Sequence, residues 1–315
     1  MEATTPATVT LNGDHDRKGR GNELIDIESL TPGNHINGYA NSCRNTTNTF
    51  QYLEWQKLYE TEKPFQILLD IVDDAPEQRR HNLVFHDGPL EVVHDVRGRE
   101  SDHNLDKNGF TYIKRASKME PGDFIDLDKV EKVFLSELEA MLKEIMDGAV
   151  DFNDKLSPLG PATQVHLDQS PKSVVQRVLQ FLPEQAGHLL RGRVQLINMW
   201  RPINGAVEDW PLAVCDATTL PEDRLVECDR IRRAFLGCTM YVMYTEGIKW
   251  HYMSRPENED MLVFKTFDSD NNAPARYCVH GAFPWKDAPE SPKNRESIEV
   301  RALVFTYPES LGERK

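Results

Sequence analysis

Two histidines and one aspartate have the types and spacing of a metal centre. His166 and Asp168 lie in the run TQVHLDQS, and His280 lies in RYCVHGAF. If TQVHLD is a strand, side chains alternate between its faces, so His166 and Asp168 project from the same face. With a histidine from a later strand they complete a two-histidine, one-carboxylate triad, which binds one face of Fe(II) and leaves the other open. The pattern predicts an iron-dependent oxygenase.

A single His-x-Asp match is weak evidence by itself, because the chain has ten histidines. No other histidine has an aspartate two residues later, so the candidate is unambiguous. His251, in WHYMS, is a rival ligand in residue type, but no carboxylate lies two positions from it. The alternative interpretation is that His166 and His280 are ordinary core or surface histidines.

The segment after His280 provides a second pattern, because RESIEVRALVF alternates as a strand would. It places four apolar residues on one face and four polar residues on the other: Ile298, Val300, Ala302 and Val304 against Arg295, Ser297, Glu299 and Arg301. Two arginines on an interior face require counter-charges, of which Glu299 provides one. A dicarboxylate such as 2-oxoglutarate would provide another through bidentate pairing. The alternative is a surface strand with solvated arginines.

An ordered series of longer motifs carries a family resemblance. The motifs are VHLDQSP, RVQLINMWRPINGAVEDWPLAVCD, WHYMSRPENEDMLVFKTFDSD, VHGAF and RESIEVRALVF. With the weaker HDVRGRE and LDKNGFTYIK before them, the series spans roughly residues 90 to 307. The series resembles the iron and 2-oxoglutarate dioxygenases, and within them a fungal hydroxylase/desaturase family related to gibberellin desaturase and the cephem methoxylase accessory chain. The resemblance implies Fe(II), 2-oxoglutarate and molecular oxygen as cofactors. It also implies hydroxylation, desaturation or oxidative cyclisation of a fungal secondary metabolite.

The same resemblance implies roles around the metal. Arg295 and Ser297 match the arginine and serine that bind the far carboxylate of 2-oxoglutarate. The interval from His280 to Arg295 is longer than usual in such enzymes, so Arg301 stays a rival for this role. Asn198 and Trp200, in INMWRP, are further cosubstrate candidates, although Trp200 is as readily explained as a core residue.

The elements that must position these residues can also be read from the sequence. One helix is predicted to begin at Asp126 or Asp128 and to end near Gly148, and a second to begin at Ser170-Pro171. From residue 193 the chain is dominated by apolar strand patterns. This order predicts an α+β protein with a double-layered antiparallel barrel, braced by helices. In the family that the sequence resembles, such a barrel is a double-stranded β-helix, that is, a jelly-roll or cupin-like barrel, and we expect this fold here.

Domain boundaries and class follow from composition. Residues 1–35 are polar and predict a flexible tail, followed by a single oxygenase domain over 36–310 with its barrel core at about 160–307. The net charge of -14 argues against a nucleic-acid partner, and no apolar run is long enough to span a membrane. The five cysteines form no CxxC pair. With no secretory signal, they favour reduced thiols and a cytoplasmic location.

Three functions compete. The first is an Fe(II)/2-oxoglutarate dioxygenase that acts on a small molecule, either a terpenoid, a polyketide or an amino-acid-derived metabolite. The second is a metal-dependent hydrolase with zinc on the same triad, which leaves Arg295, Ser297 and Arg301 without a role. The third is a catalytically inactive jelly-roll binding protein. A larger, mainly apolar metabolite is favoured over a free amino acid, and the oligomeric state is open, with a homodimer as one alternative.

Overall fold

Strands are the main regular elements of the structure, a computed structural model that describes residues 9–12, 44–68, 79–146, 149–152, 160–232 and 235–306. Within these residues the strands are β1 Val9–Asn12, β2 Thr46–Leu53, β3 Phe65–Ile67, β4 Phe85–Asp95, β5 Phe110–Lys114, β6 Ala149–Phe152, β7 His166–Leu167, β8 Arg193–Pro202, β9 Leu212–Cys215, β10 Leu225–Arg232, β11 Phe235–Val242, β12 Trp250–Tyr252, β13 Asp260–Asp268, β14 His280–Ala282 and β15 Ser297–Thr306.

The strands form two sheets. A six-stranded sheet has the order β1-β15-β8-β13-β5, with β6 also paired to β15. A nine-stranded sheet has the order β2-β4-β12-β9-β14-β7-β11-β10-β3. The nine-stranded sheet curls, because Gln51 of its edge strand β2 forms a bridge to Gln164, just before β7. The fold is therefore dominated by sheet with few helices, as the sequence predicted at this level.

The two predicted helices are present. The first consists of three consecutive pieces, α1 Leu127–Lys129, a π-helical turn Val130–Phe134 and α2 Leu135–Ile145. Asp126 caps it by accepting hydrogen bonds from the backbone N–H groups of Asp128 and Lys129. The second helix is α3 Pro171–Phe181, capped by Ser170, and a short helix α4 Ala186–Leu189 follows. Short 3₁₀ helices lie at Lys57–Glu60, Glu100–Asp102, Pro121–Ile125, Ala217–Thr219 and Glu222–Arg224.

The alternating pattern of β15 determines how the two sheets face each other. Its four apolar residues form one buried face, as predicted, and this face packs against Leu138 and Leu142 of α2: Ile298, Val300, Ala302 and Val304. Its other face is turned to the nine-stranded sheet. Phe264 of β13 shares this face, since its register partner Asn198 is paired with Arg301, and its ring lies 4.7 Å from that of His280.

Some expectations need correction or stay untested. The predicted strand TQVHLD is shorter than expected: only His166–Leu167 form β7, and Asp168 lies just beyond it. Of the predicted tail at 1–35, only Val9–Asn12 lie within the described residues, where they pair with β15. The single-domain boundaries therefore remain a prediction. Cys43 lies outside the described residues, and the other cysteines are free and buried: Cys215, Cys228, Cys238 and Cys278. No helix in the described part of the chain is long and apolar enough to cross a bilayer.

Candidate metal and cosubstrate site

The structure brings the predicted triad together between the two sheets. His166 of β7 and His280 of β14 are direct partners across adjacent strands, with ring centroids 4.5 Å apart. Oδ1 of Asp168 lies 3.9 Å from Nε2 of His166, and Oδ2 lies 3.7 Å from Nε2 of His280. One ligand atom from each residue lies within 4.8 Å of the other two. Three converging ligands of this kind can hold one divalent metal ion.

The protonation of the two histidines suits metal binding. Nδ1 of His166 lies 2.8 Å from the carbonyl oxygen of Gln164, which can only accept a hydrogen bond. The proton of the neutral ring is therefore on Nδ1, and the lone pair is on Nε2, beside Asp168. Burial, reinforced by His280, lowers the pKa of His166 to about 4, and burial also lowers the pKa of His280. Both imidazoles are neutral at pH 7 and available as ligands.

Side chains from the six-stranded sheet hold Asp168 in place. Nη2 of Arg301 donates to Oδ1 of Asp168 at 2.6 Å, and Nδ2 of Asn198 donates to Oδ2 at 2.7 Å. The same two donors also contact Oε1 of Glu299, at 2.9 and 3.0 Å. Burial alone would raise the pKa of Asp168, but Arg301 and the two histidines outweigh it and hold that pKa well below its usual range. Burial raises the pKa of Glu299. The two contacts of Arg301 mean that one arginine is shared by two buried carboxyl groups.

Arg295 is in a different situation from Arg301. It is 7% exposed, and its Nη1 donates to the carbonyl oxygen of Trp210 at 2.5 Å. Its guanidinium lies 5.7 Å from the ring centroid of Trp200. Within the described residues no carboxylate forms an ion pair with it, its Nε is buried without a hydrogen-bond partner, and burial lowers its pKa to about 10. Ser297, two positions along, is fully buried.

Comparison with known proteins places these features in a family. A family model described as an oxidoreductase/YMDC permease-like domain matches residues 50–305. Fe(II)/2-oxoglutarate-dependent dioxygenase nvfI of Aspergillus novofumigatus is 30% identical over 227 aligned residues, and the match covers 67% of this chain and 81% of that protein. The chain belongs to the fungal Fe(II)/2-oxoglutarate-dependent dioxygenases and hydroxylase/desaturases.

Two further similarities agree with this membership. Aspirochlorine biosynthesis protein N of Aspergillus oryzae is 39% identical over 139 residues, which cover 44% of this enzyme and 58% of that protein. The solved structure of the iron and alpha-ketoglutarate-dependent endoperoxidase NvfI superposes with a TM-score of 0.73 at 25% identity. The superposition covers 84% of this enzyme and 99% of NvfI. The cofactors of the family are Fe(II), 2-oxoglutarate and molecular oxygen.

Strand pairing also explains where His251 lies. A row of directly paired residues crosses the nine-stranded sheet: His94, His251, Val214, His280, His166 and Tyr241. His251 is two strands from His280, which corresponds to about 10 Å at the usual strand spacing. It contacts His103 and His94, with ring centroids 4.7 and 5.5 Å away, and does not join the triad.

Sequence reasoning missed two features of the site. The carbonyl of Gln164 orients His166, but any residue type provides a carbonyl, so no sequence signal could have identified it. The pairing of Arg301 with Asp168 was also missed, although the shared polar face of Arg301 and Glu299 was a signal for it. Asn198, expected near the cosubstrate, donates to Asp168, and its contact with the cosubstrate stays a prediction.

Proposed function

We propose that His166, Asp168 and His280 bind Fe(II), and that Arg295 and Ser297 bind the distal carboxylate of 2-oxoglutarate. The observation that carries this assignment is the contrast between the two arginines. Arg301 is already paired with Asp168 and Glu299, whereas Arg295 is buried with no carboxylate partner among the described residues. A buried guanidinium without a carboxylate partner is destabilising unless an anion binds to it. A dicarboxylate cosubstrate would meet this need.

Each of the three proposed metal ligands then has a definable task. His166 presents the lone pair of Nε2, and Nε2 of His280 faces Asp168. Asp168 presents a carboxylate oxygen whose direction is fixed by Arg301 and Asn198. Bound iron, with 2-oxoglutarate and oxygen, supplies the oxidising power.

Two further residues complete the cosubstrate site in this proposal. Trp200 lies against Arg295 and would keep water from the ion pair, which strengthens it. The buried hydroxyl of Ser297, two residues after Arg295, would donate to the same carboxylate.

The competing interpretations explain less. A zinc hydrolase on the same triad gives Arg295 no anion to bind, and an inactive binding protein gives no reason for two buried, neutral histidines beside a carboxylate. The pairing of an iron triad with a buried, unpaired arginine therefore favours oxygenase chemistry.

Several finer features belong to the proposal. The two facing sheets are interpreted as a double-stranded β-helix, and the substrate as a terpenoid, polyketide or amino-acid-derived fungal metabolite of small size. The protein is expected to act in the cytoplasm without nucleic acid or membrane. A homodimer remains one alternative for its assembly.

The test is aerobic consumption of 2-oxoglutarate by the purified protein loaded with Fe(II), with the Zn(II)-loaded protein as the matched control. Extract of the producing organism provides the substrates, and masses are compared before and after incubation. A gain of one oxygen atom in a metabolite indicates hydroxylation, and a loss of two hydrogens indicates desaturation or ring closure. Metabolite cleavage by the zinc form, without consumption of 2-oxoglutarate, would replace this function with a hydrolase.

A further inference from the structure

Arg230 lies on the same sheet face as the metal-site histidine, in a strand that sequence reasoning did not connect with function. His166 is paired with Tyr241 of β11, and Tyr241 is paired with Val226 of β10. Side chains alternate along a strand, so Arg230, four residues after Val226, projects from this same face. The register of β10 with β11 has no irregularity between these positions.

The surroundings of Arg230 leave its guanidinium without a partner. Nε of Arg230 is buried and has no hydrogen bond, and no ion pair or other hydrogen bond joins its side chain within the part of the chain that the structure describes. On one side its register partner is Gly237, which has no side chain. On the other side the register partner of Arg230 is Gln66 of β3, whose Oε1 is also buried without a hydrogen-bond partner.

The charge of Arg230 acts on a residue beside the metal site. Burial raises the pKa of Tyr241, and Arg230 opposes that rise. The ring of Tyr241 lies 6.5 Å from that of His166. The side chain of Arg230 is half-buried, so part of its guanidinium is accessible to a ligand.

Other arginines that could anchor an anionic substrate are already engaged. Arg255 pairs with Glu208 at 3.1 Å, and Arg276 pairs with Glu222 at 3.0 Å. Arg201 donates to the backbone carbonyls of Arg115 and Asn258. Arg230 has no such partner among the described residues, so it is better placed than these three to bind an anion.

We propose that Arg230, assisted by Gln66, binds a carboxylate on the substrate, so that the rest of the molecule extends past Tyr241 towards the metal site. The inference rests on the proposed function, and it narrows the substrate class to metabolites with an apolar body and one anionic group. A guanidinium pairs with a carboxylate through two parallel hydrogen bonds, and the amide of Gln66 can donate to the remaining oxygen lone pairs. Arg295 would keep the cosubstrate, so the two anions would occupy opposite sides of the triad.

The test uses two probes of the same shape, 1-naphthoate and 1-naphthamide, which differ in charge. Equilibrium dialysis measures their binding to the protein loaded with Fe(II) and N-oxalylglycine under argon, so that Arg295 is occupied. Naphthoate is expected to bind about tenfold or more tightly than naphthamide, because charge-assisted hydrogen bonds are the stronger kind. Arg230→Met should abolish this preference and Arg230→Lys should retain part of it. Arg79→Met, which removes an exposed arginine paired with Glu62, should leave it unchanged.

The outcomes separate this inference from the proposed function. Equal binding of the two probes by the unaltered protein, or a preference that survives in Arg230→Met, would overturn the substrate role of Arg230. A loss of 2-oxoglutarate affinity in Arg230→Met, measured by calorimetry, would also overturn it and assign the residue to the cosubstrate. Naphthoate binding through Arg230 in a protein that never consumes 2-oxoglutarate would refute the oxygenase function alone. Arg230→Lys keeps the positive charge, so it still tests the proposal if Arg230→Met does not fold.

Discussion

Replacement of Arg301 by glutamine is expected to destabilise the metal-free enzyme by about 3 kcal/mol, because it leaves two buried carboxylates without their shared cation. Arg301 contacts Asp168 at 2.6 Å and Glu299 at 2.9 Å, and the carboxylates are 6% and 10% exposed. Removal of one partner from a buried pair usually costs about 3–5 kcal/mol. The lower end applies here, since the side chain of Arg301 is itself 19% exposed.

Thermal unfolding provides the measurement. At roughly 2 °C per kcal/mol for a chain of this size, the melting temperature of Arg301→Gln should fall by about 6 °C. Glu299→Gln keeps its oxygen for Asn198 and leaves the Arg301–Asp168 pair balanced, so its stability should stay within about 1 kcal/mol of the unaltered protein. The double variant has one unpaired carboxylate instead of two, and it should be more stable than Arg301→Gln alone. A double-mutant cycle in alkaline buffer measures this coupling.

The reasoning would fail in either of two results. If the double variant is no more stable than Arg301→Gln, the two carboxylates do not compete for one cation. If Arg301→Gln leaves stability unchanged but sharply raises the requirement for 2-oxoglutarate, Arg301 is the cosubstrate clamp and Arg295 is not. Titration of 2-oxoglutarate into the same variants, loaded with Fe(II), separates the two cases.

Three other changes have expected outcomes. His280→Ala should lose stoichiometric Fe(II), measured by metal analysis, while circular dichroism shows a retained fold; full iron content would refute its role as a ligand. Arg295→Ala should weaken 2-oxoglutarate binding about tenfold or more with iron retained, and a change of less than twofold would contradict the clamp. Burial and two neighbouring histidines lower the pKa of His251 to about 3. Because this lies below the unfolded value of about 6.5, its contribution to stability is complete above that pH and is lost as the pH falls. In His251→Leu the free energy of unfolding should therefore fall less between pH 6.5 and 4, and parallel curves for the two proteins would refute this.

The sequence predicted the parts of the fold that depend on local periodicity. The helix cap at Asp126 and the two faces of β15 were predicted because capping and alternation act over a few residues. The predicted length of β7 was wrong. Only His166 and Leu167 pair with β14 and β11, and this pairing, which strand propensity does not determine, sets the length of the strand. The role of Arg230 could not be predicted from the sequence, because the sheet face that it shares with His166 depends on three strands whose order in the sheet the sequence does not state.

The three triad residues are fixed in two physically different ways. His166 and His280 are held by backbone pairing in one sheet, so their separation is set by strand geometry. Asp168 lies beyond the end of β7, where no ladder holds it, and its carboxylate is fixed by Asn198 and Arg301 from the opposite sheet. Metal binding at this triad would therefore connect the two sheets through one carboxylate. It follows that changes at Asn198 or Arg301 should weaken metal binding by misplacing Asp168, although neither residue supplies a ligand atom.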